Sequence, residues 1–329
     1  MANRYWRGGS GTWDATTTTN WSTTSGGAGG ASAPSAADTV IFDNNSNVGT
    51  GSFTVTIGVG ALCQNFTFGS GASALDGAMT LAGTGTLGVS GNLTLVSTNL
   101  TVTYSGALNF VATGTITSAG NSFGGNVTFN GSAQTFTLGD AFTTTGTITL
   151  TQGTLSVSTF TMTGSTFSSS NSNTRNLTFG SGGKIVLTGN AATVWNTATL
   201  TGFTLSGTSL VQCTYSGATG TRTITPGAPT EANSINFSIT AGTDTVTVTA
   251  GSIKDLDFTG FAGTYSNTAV TVYGSLTIST GMTLTAGTNA TTFAATSGTK
   301  TITSNGKNLD FPLTFNGTGG TWQLQDNLA

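Results

Sequence analysis

Histidine is absent from this chain of 329 residues. Its absence removes the Ser-His-Asp and Cys-His nucleophile systems, His-ligated zinc and any imidazole pH switch. Charge is scarce as well, at 6% of residues against roughly 25% in ordinary globular domains. The eight Lys and Arg are scattered and the net charge is −3, so the basic stripe that marks nucleic-acid binding is missing and no nucleic-acid partner is expected. No apolar run approaches the roughly 20 residues of a membrane span, and no membrane insertion is expected. Arg4 and Arg7 resemble a charged leader segment, but "GGSGTWDATTTTNWS" follows where an apolar stretch would have to stand, so no secretory signal is expected.

Cysteine and proline are rare too. Cys63 and Cys213 are too few for a disulfide framework. Each sits in strand-like sequence, "GALCQNFTF" and "LVQCTYSG", which predicts two buried, reduced thiols acting as small hydrophobes. They cannot form a four-cysteine metal site, and no Asp-x-Asp-x-Asp-Gly calcium loop is present. The nearest approach to a phosphate-binding loop, "GSGGKIV" at 180–186, runs from Lys184 into a strand pattern. No metal or cofactor is therefore expected. Four prolines and the lack of a three-residue glycine period exclude collagen.

What is present is β sequence. No segment sustains apolar residues at helical spacing over three turns. Strict alternation recurs instead, in "FTVTIGV", "LTVTYSGALNF", "GTITLTQGTLSV", "TVTVTAG" and "AVTVYGSLTI". Alternate side chains of a strand share a face, so Val, Leu, Ile and Phe point inward while Thr and Ser point out. Short Gly, Asn and Ser clusters punctuate these strands as turns.

A degenerate repeat underlies the alternation. A phrase of Asn or Gly, apolar, Thr, apolar recurs as "NFTFGSGA", "NLTL", "NVTFNGS", "NLTFGSGG" and "PLTFNGTGG". The final apolar residue of such phrases falls at Phe110, Phe129 and Leu150, and again at Phe237, Phe258 and Ile278. A recurrence of about 20 residues is the signature of a repeat architecture. It predicts an all-β fold, a parallel β-helix or β-solenoid with about 20 residues per rung, stacked at about 4.8 Å. Tandem β-sandwich domains are the competing architecture.

The expected organisation has four parts. Residues 1–50 form a Trp-rich N-terminal cap or attachment segment, and 51–211 a solenoid. Residues 212–236, with two prolines and Glu231, form an excursion or loop, and 237–329 continue the solenoid towards an apparently uncapped C-terminus. A solenoid end exposes unpaired backbone groups and needs a cap. Trp6, Trp13 and Trp21, with Tyr5 and Phe42, are the candidates for that role. The alternative is that the three indoles form an exposed aromatic face for sugars or a partner protein.

One pair of carboxylates stands apart. Asp255 and Asp257 in "SIKDLDF" lie two residues apart, so they share a strand face at about 7 Å, a spacing compatible with an inverting glycoside hydrolase. The competing reading is a solvated outer face balanced by Lys254. Asp38 and Asp43 are a second, weaker pair.

The block "RYWRGGSGTWDATTTTNWSTTSGGAGGASAPSAADTVIFD", together with "LDGAMTLAGTGTL", "TFSSSNSNTRNLTFGSGG" and "FNGTGGTWQLQDNL", resembles Gly/Thr-rich β-repeat proteins of tailed bacteriophages and of bacterial surface adhesins. The resemblance implies a virion structural protein, a tail fibre or spike-like appendage aiding host attachment and assembled in the host cytoplasm. It also implies a homo-oligomer, trimers being common, that meets other virion proteins and a host surface glycan. The alternatives are an exported adhesin at the bacterial surface and a polysaccharide-degrading tailspike. The sequence departs from enzymatic tailspikes in lacking an evident catalytic constellation, so it is expected not to be an enzyme.

Overall fold

The computed structural model of the chain describes residues 2–47, 51–71 and 74–328. It divides into two compact units, Met1–Thr163 and Gly164–Ala329. Each is a parallel β-solenoid. The boundary expected near residue 50 falls outside the described residues.

In the first unit each turn of the coil carries three short strands separated by corners. One turn comprises Phe53–Ile57, Ala61–Cys63 and Asn65–Phe68, the next Met79–Gly83, Leu87–Val89 and Leu93–Thr94. Each strand pairs in parallel with its counterpart one turn on: Phe53 faces Met79, Ala61 faces Leu87, and Phe66 faces Leu93. The alternation read in the sequence decides which side faces in. In Phe53–Ile57 the residues Phe53, Val55 and Ile57 are buried, while Thr54 and Thr56 look outward. Two strands, Val127–Leu138 and Thr147–Ser158, run through a corner and serve two faces, with the register shift between Phe129 and Thr135 taking up the bend. A bulge of this kind bends a strand without ending its pairing.

In the second unit the coil carries the same alternation. Strands Leu210–Cys213, Asn236–Ile239 and Leu256–Asp257 stack on one face, and Gly251–Ile253, Val270–Val272 and Thr291–Phe293 on another. Within 212–236, the stretch expected to leave the stack, Thr221–Thr225 is a strand paired in parallel with Thr245–Val248. The departure from strand structure is residues 226–235, with a short 3₁₀ turn at Glu231–Asn233. This loop is tied to later turns by side chains. The Glu231 carboxylate accepts from the Thr296 N–H (3.0 Å) and hydroxyl (2.5 Å), and Tyr273 donates its hydroxyl to the Pro229 carbonyl (3.3 Å).

The rung is not of fixed length. The short turns of the first unit bring Leu108 beside Val127 and Leu87 beside Leu108. Longer turns in the second unit bring Arg175 beside Phe203 and Trp195 beside Ile224. Extra residues enter at corners, where added loop costs little, while strand lengths stay short. The expected column Phe110, Phe129, Leu150 is present as read. The second column, Phe237, Phe258 and Ile278, is corrected at its first step: Phe237 faces Leu256, not Phe258. A two-residue slip keeps every side chain on its own face, so alternation alone cannot detect it.

Like residues consequently stack on like. Phe110 lies on Phe129 at 5.4 Å, Phe123 on Phe142 at 5.4 Å, and Phe167 on Trp195 at 4.3 Å. A column of glycines marks one corner of the first unit. A Cβ built on Gly85, Gly106 or Gly125 would lie well inside van der Waals contact with the carbonyl of Gly58, Gly85 or Gly106 respectively. The backbone of one rung thus rests on the backbone of the previous one at this corner, and only glycine leaves the room. Gly125→Ala should force the two rungs apart and destabilise the first unit by about 1–3 kcal/mol, as overpacking does. Urea unfolding followed by far-UV circular dichroism reads this; an unchanged midpoint would show that the corner yields freely.

Candidate functional site

Three places in the fold bear on function: the tryptophan cluster, the aspartates and the buried arginines. At one end of the first unit the strand Asn3–Trp6 pairs in parallel with Thr39–Phe42 and, on its other edge, antiparallel with Trp21–Ser22. The Ala31 N–H then donates to the Trp21 carbonyl (3.1 Å). The chain therefore folds back over its own first parallel strand. Gly11–Trp13 pairs with Phe53–Ile57 on a second face. Trp6, Trp13 and Trp21 are all fully buried.

The rings form one aromatic layer over the apolar interior. Trp6 meets Trp21 edge to face at 5.0 Å, Trp13 meets Trp21 at 5.5 Å, and Trp13 reaches Phe66 of the coil below at 5.5 Å. Edge-to-face pairs set the positive rim of one ring against the negative face of another. The Trp6 indole N–H donates to the Gly9 carbonyl at 2.8 Å, while those of Trp13 and Trp21 are buried with no acceptor. Each such donor costs about 1–3 kcal/mol, so ring burial must outweigh that penalty. Buried rings offer no stacking platform to a sugar, which disfavours the aromatic binding face. Trp13→Ala should cost roughly 3–5 kcal/mol in the first unit. A denaturant titration monitored by tryptophan fluorescence measures it, and no measurable change in the midpoint would remove the rings from the stability of this end.

Asp255 and Asp257 both line a shallow surface groove of about 370 Å³ with Leu210, Asn236 and Ser238. Asp257 lies in the strand Leu256–Asp257 and Asp255 immediately before it. Each carboxylate is nevertheless engaged by backbone. Asp255 accepts from the Ser275 N–H at 2.6 Å, one rung on. Asp257 accepts from the Thr259 N–H at 2.8 Å and its hydroxyl at 2.6 Å, closing a turn.

The same use recurs at other aspartates. Asp14 accepts from the Thr16 and Thr17 N–H groups, Asp38 from Ser35, and Asp43 from Asn45. Asp140 accepts from the N–H groups of Ser118 and Ala119, one rung back, where Ala119 holds a left-handed φ of 51°. Asp326 serves Ser304 and Asn305 in the same way, with Asn305 at φ 50°. The scarce carboxylates are thus corner stitches, each satisfying N–H groups that the ladder leaves free. At Asp14 these bonds hold the carboxyl below its ordinary range, the largest cause being the Thr17 N–H. Lys254, expected to balance the aspartates, makes no ion pair with them; among the described residues the pairs are Arg4–Asp38 at 4.0 Å and Arg222–Asp244.

The second pair escaped the sequence reading. Arg222 and Asp244 lie inside the second unit, and the guanidinium grips the carboxylate with two bonds of 2.8 and 2.7 Å. Nη2 also donates to the Ala241 carbonyl at 2.8 Å, and the Tyr215 and Phe261 rings lie 5.6 and 5.5 Å from the guanidinium carbon. Arg175 is equally buried but has no counter-ion among the described residues; it donates to the carbonyls of Asn171, Asn173 and Thr199. The signal was there: "TRTIT" and "TRNLT" each place Arg at an inward position of the alternation. Fork-shaped guanidinium donors suit an interior corner where several carbonyls converge.

The two thiols are buried and form no disulfide. Burial pushes Cys213 up to about 12 and Cys63 higher still, and it raises Tyr104 and Tyr265 likewise. These groups stay neutral in the folded chain where the unfolded chain ionises. The resulting stability is intact below about pH 8.5, the ordinary thiol value, and is lost as pH climbs towards the folded values. The unfolding midpoint should fall steadily above about pH 9, and neither thiol should react with iodoacetamide at neutral pH. Labelling of the folded chain at either cysteine would contradict the burial.

No protein-family model matches the chain, nor does any curated protein or solved structure.

Proposed function

We propose that this chain is a structural component of a bacteriophage particle, a fibre or spike-like appendage that contributes to attachment at the host surface. The observation that carries the reading is the build of the first unit: a parallel coil held rung to rung by backbone hydrogen bonds and closed at one end by a buried aromatic layer. Such a coil is stiff without depending on surface charge, which suits a mechanical part. The resemblance of the opening block, Arg4 to Asp43, to phage β-repeat proteins supports the same assignment. The resemblance brings with it assembly as a homo-oligomer, contact with other virion proteins and a host surface glycan as the target.

One observation favours a second reading. Asp255 and Asp257 open onto a common groove, as a polysaccharide-degrading spike would require. Their engagement by Ser275 and Thr259 weighs against it. An exported adhesin shares the fold and differs in location.

Mass spectrometry of gradient-purified virions distinguishes these. Peptides of this chain should band with the particles at a constant ratio to the capsid protein. Their confinement to the bacterial envelope fraction would overturn the virion assignment in favour of an adhesin. Release of reducing ends from host capsule, abolished by Asp257→Asn, would establish the enzymatic spike.

A further inference from the structure

One outer face of the second unit carries a regular array. Thr221, Thr245, Thr264 and Thr283 follow one another in register across four successive strands. Beside them, two residues along each strand, run Thr223, Thr247, Ser266 and Thr285. Neither column is interrupted by a bulge. All eight are exposed or half-buried, and no hydrogen bond of the described residues engages any of their side-chain hydroxyls. Elsewhere the outward hydroxyls are consumed locally, as where Thr178 meets Ser206 at 3.3 Å. The grid itself contains no charged residue.

The spacing of this array is set by the backbone. Parallel strands repeat at about 4.8 Å, and two residues along a strand advance about 6.6 Å. Threonine is stiff at χ1 because of its branched Cβ. The hydroxyls are therefore held in a two-dimensional grid before anything binds, and little side-chain freedom remains to be lost.

The size of the grid limits what can use it. Three steps of about 4.8 Å by one of about 6.6 Å cover on the order of 100 Å², against about 800 Å² per partner in a specific protein interface. A protein partner has too little to hold. A partner that is itself a lattice gains from every row at once. In tetrahedrally bonded water, O–H···O bonds of about 2.75 Å put oxygens that share a neighbour about 4.5 Å apart. The same bond length gives a perpendicular repeat of about 7.3 Å. The rung spacing departs from the first by about 0.3 Å per step, about 1 Å over the whole column, and the two-residue advance departs from the second by about 0.7 Å in its single step. The hydroxyls can thus occupy lattice sites while the methyls lie in the gaps between them, with ordered water completing the hydrogen bonds at little enthalpic loss.

We propose that this face binds the surface of ice, a function independent of the virion assignment. Ice-affinity partition of the full chain, with circular dichroism of every variant, tests it. The full chain should enrich in slowly grown polycrystalline ice. Thr245→Lys should place a charged stem in the grid and reduce enrichment roughly tenfold, the worth of about one hydrogen bond per site. Thr264→Val, which keeps the shape and removes one hydroxyl, should reduce it less. Val59→Lys, at an exposed position of the first unit, should leave it unchanged. Exclusion of the full chain from ice would overturn the proposal. Equal loss in Val59→Lys and Thr245→Lys would overturn it too, as would retention by insoluble polysaccharide without enrichment in ice.

Discussion

The parallel hydrogen-bond ladder between successive turns is the constraint on which the rest depends. It fixes neighbouring rungs at about 4.8 Å and leaves each residue above its counterpart one turn earlier. Where the repeat is regular, a position meets a similar residue above or below, as Phe110 meets Phe129. Apolar positions become columns such as Phe110, Phe129 and Leu150. Like charges in a column would repel at this distance, which gives a physical reason for a surface of Thr, Ser and Asn. The composition and the topology are one fact seen twice.

Most corners interrupt the ladder, and the scarce special residues gather there. The glycine column of Gly58, Gly85, Gly106 and Gly125 lets backbone lie against backbone. Asp140 and Asp326 reach one rung back to satisfy pairs of N–H groups at left-handed corners. Arg175 collects the carbonyls of a long corner from inside. Asp255 and Asp257 belong with the other aspartates, since each closes a turn or joins a rung. Their shared groove is what distinguishes them from that group.

The aromatic layer answers a different demand. The interior of a solenoid is a continuous apolar column, and its end would present both apolar surface and unpaired backbone. In the first unit the antiparallel strand Trp21–Ser22 meets the backbone demand and the three indoles meet the apolar one. Both are supplied by one short segment, which accounts for the concentration of tryptophan from Trp6 to Trp21. The price is two indole N–H groups left without acceptors.

Much was legible in the residues themselves. Alternation of period two, turn clusters and the recurring Asn-apolar-Thr-apolar phrase identified an all-β coil, and the inward set followed from the alternation. The tryptophans stood out as an end structure because nothing else in the chain resembles them. What the residues left open is register. A slip of two residues preserves the inward pattern, so Phe237 opposite Leu256 could not be told from Phe237 opposite Phe258. Turns of unequal length hid the glycine column and the pairing of Arg222 with Asp244 on the next rung. The threonine grid is hidden for the same reason: "TRTIT", "DTVTV" and "GTYSN" look unrelated until the ladder sets them side by side. Alternation is a local property of one strand and survives any change of neighbour. Which strand lies next to which, and in what register, depends on closing each corner, and that is decided only when the whole turn is built.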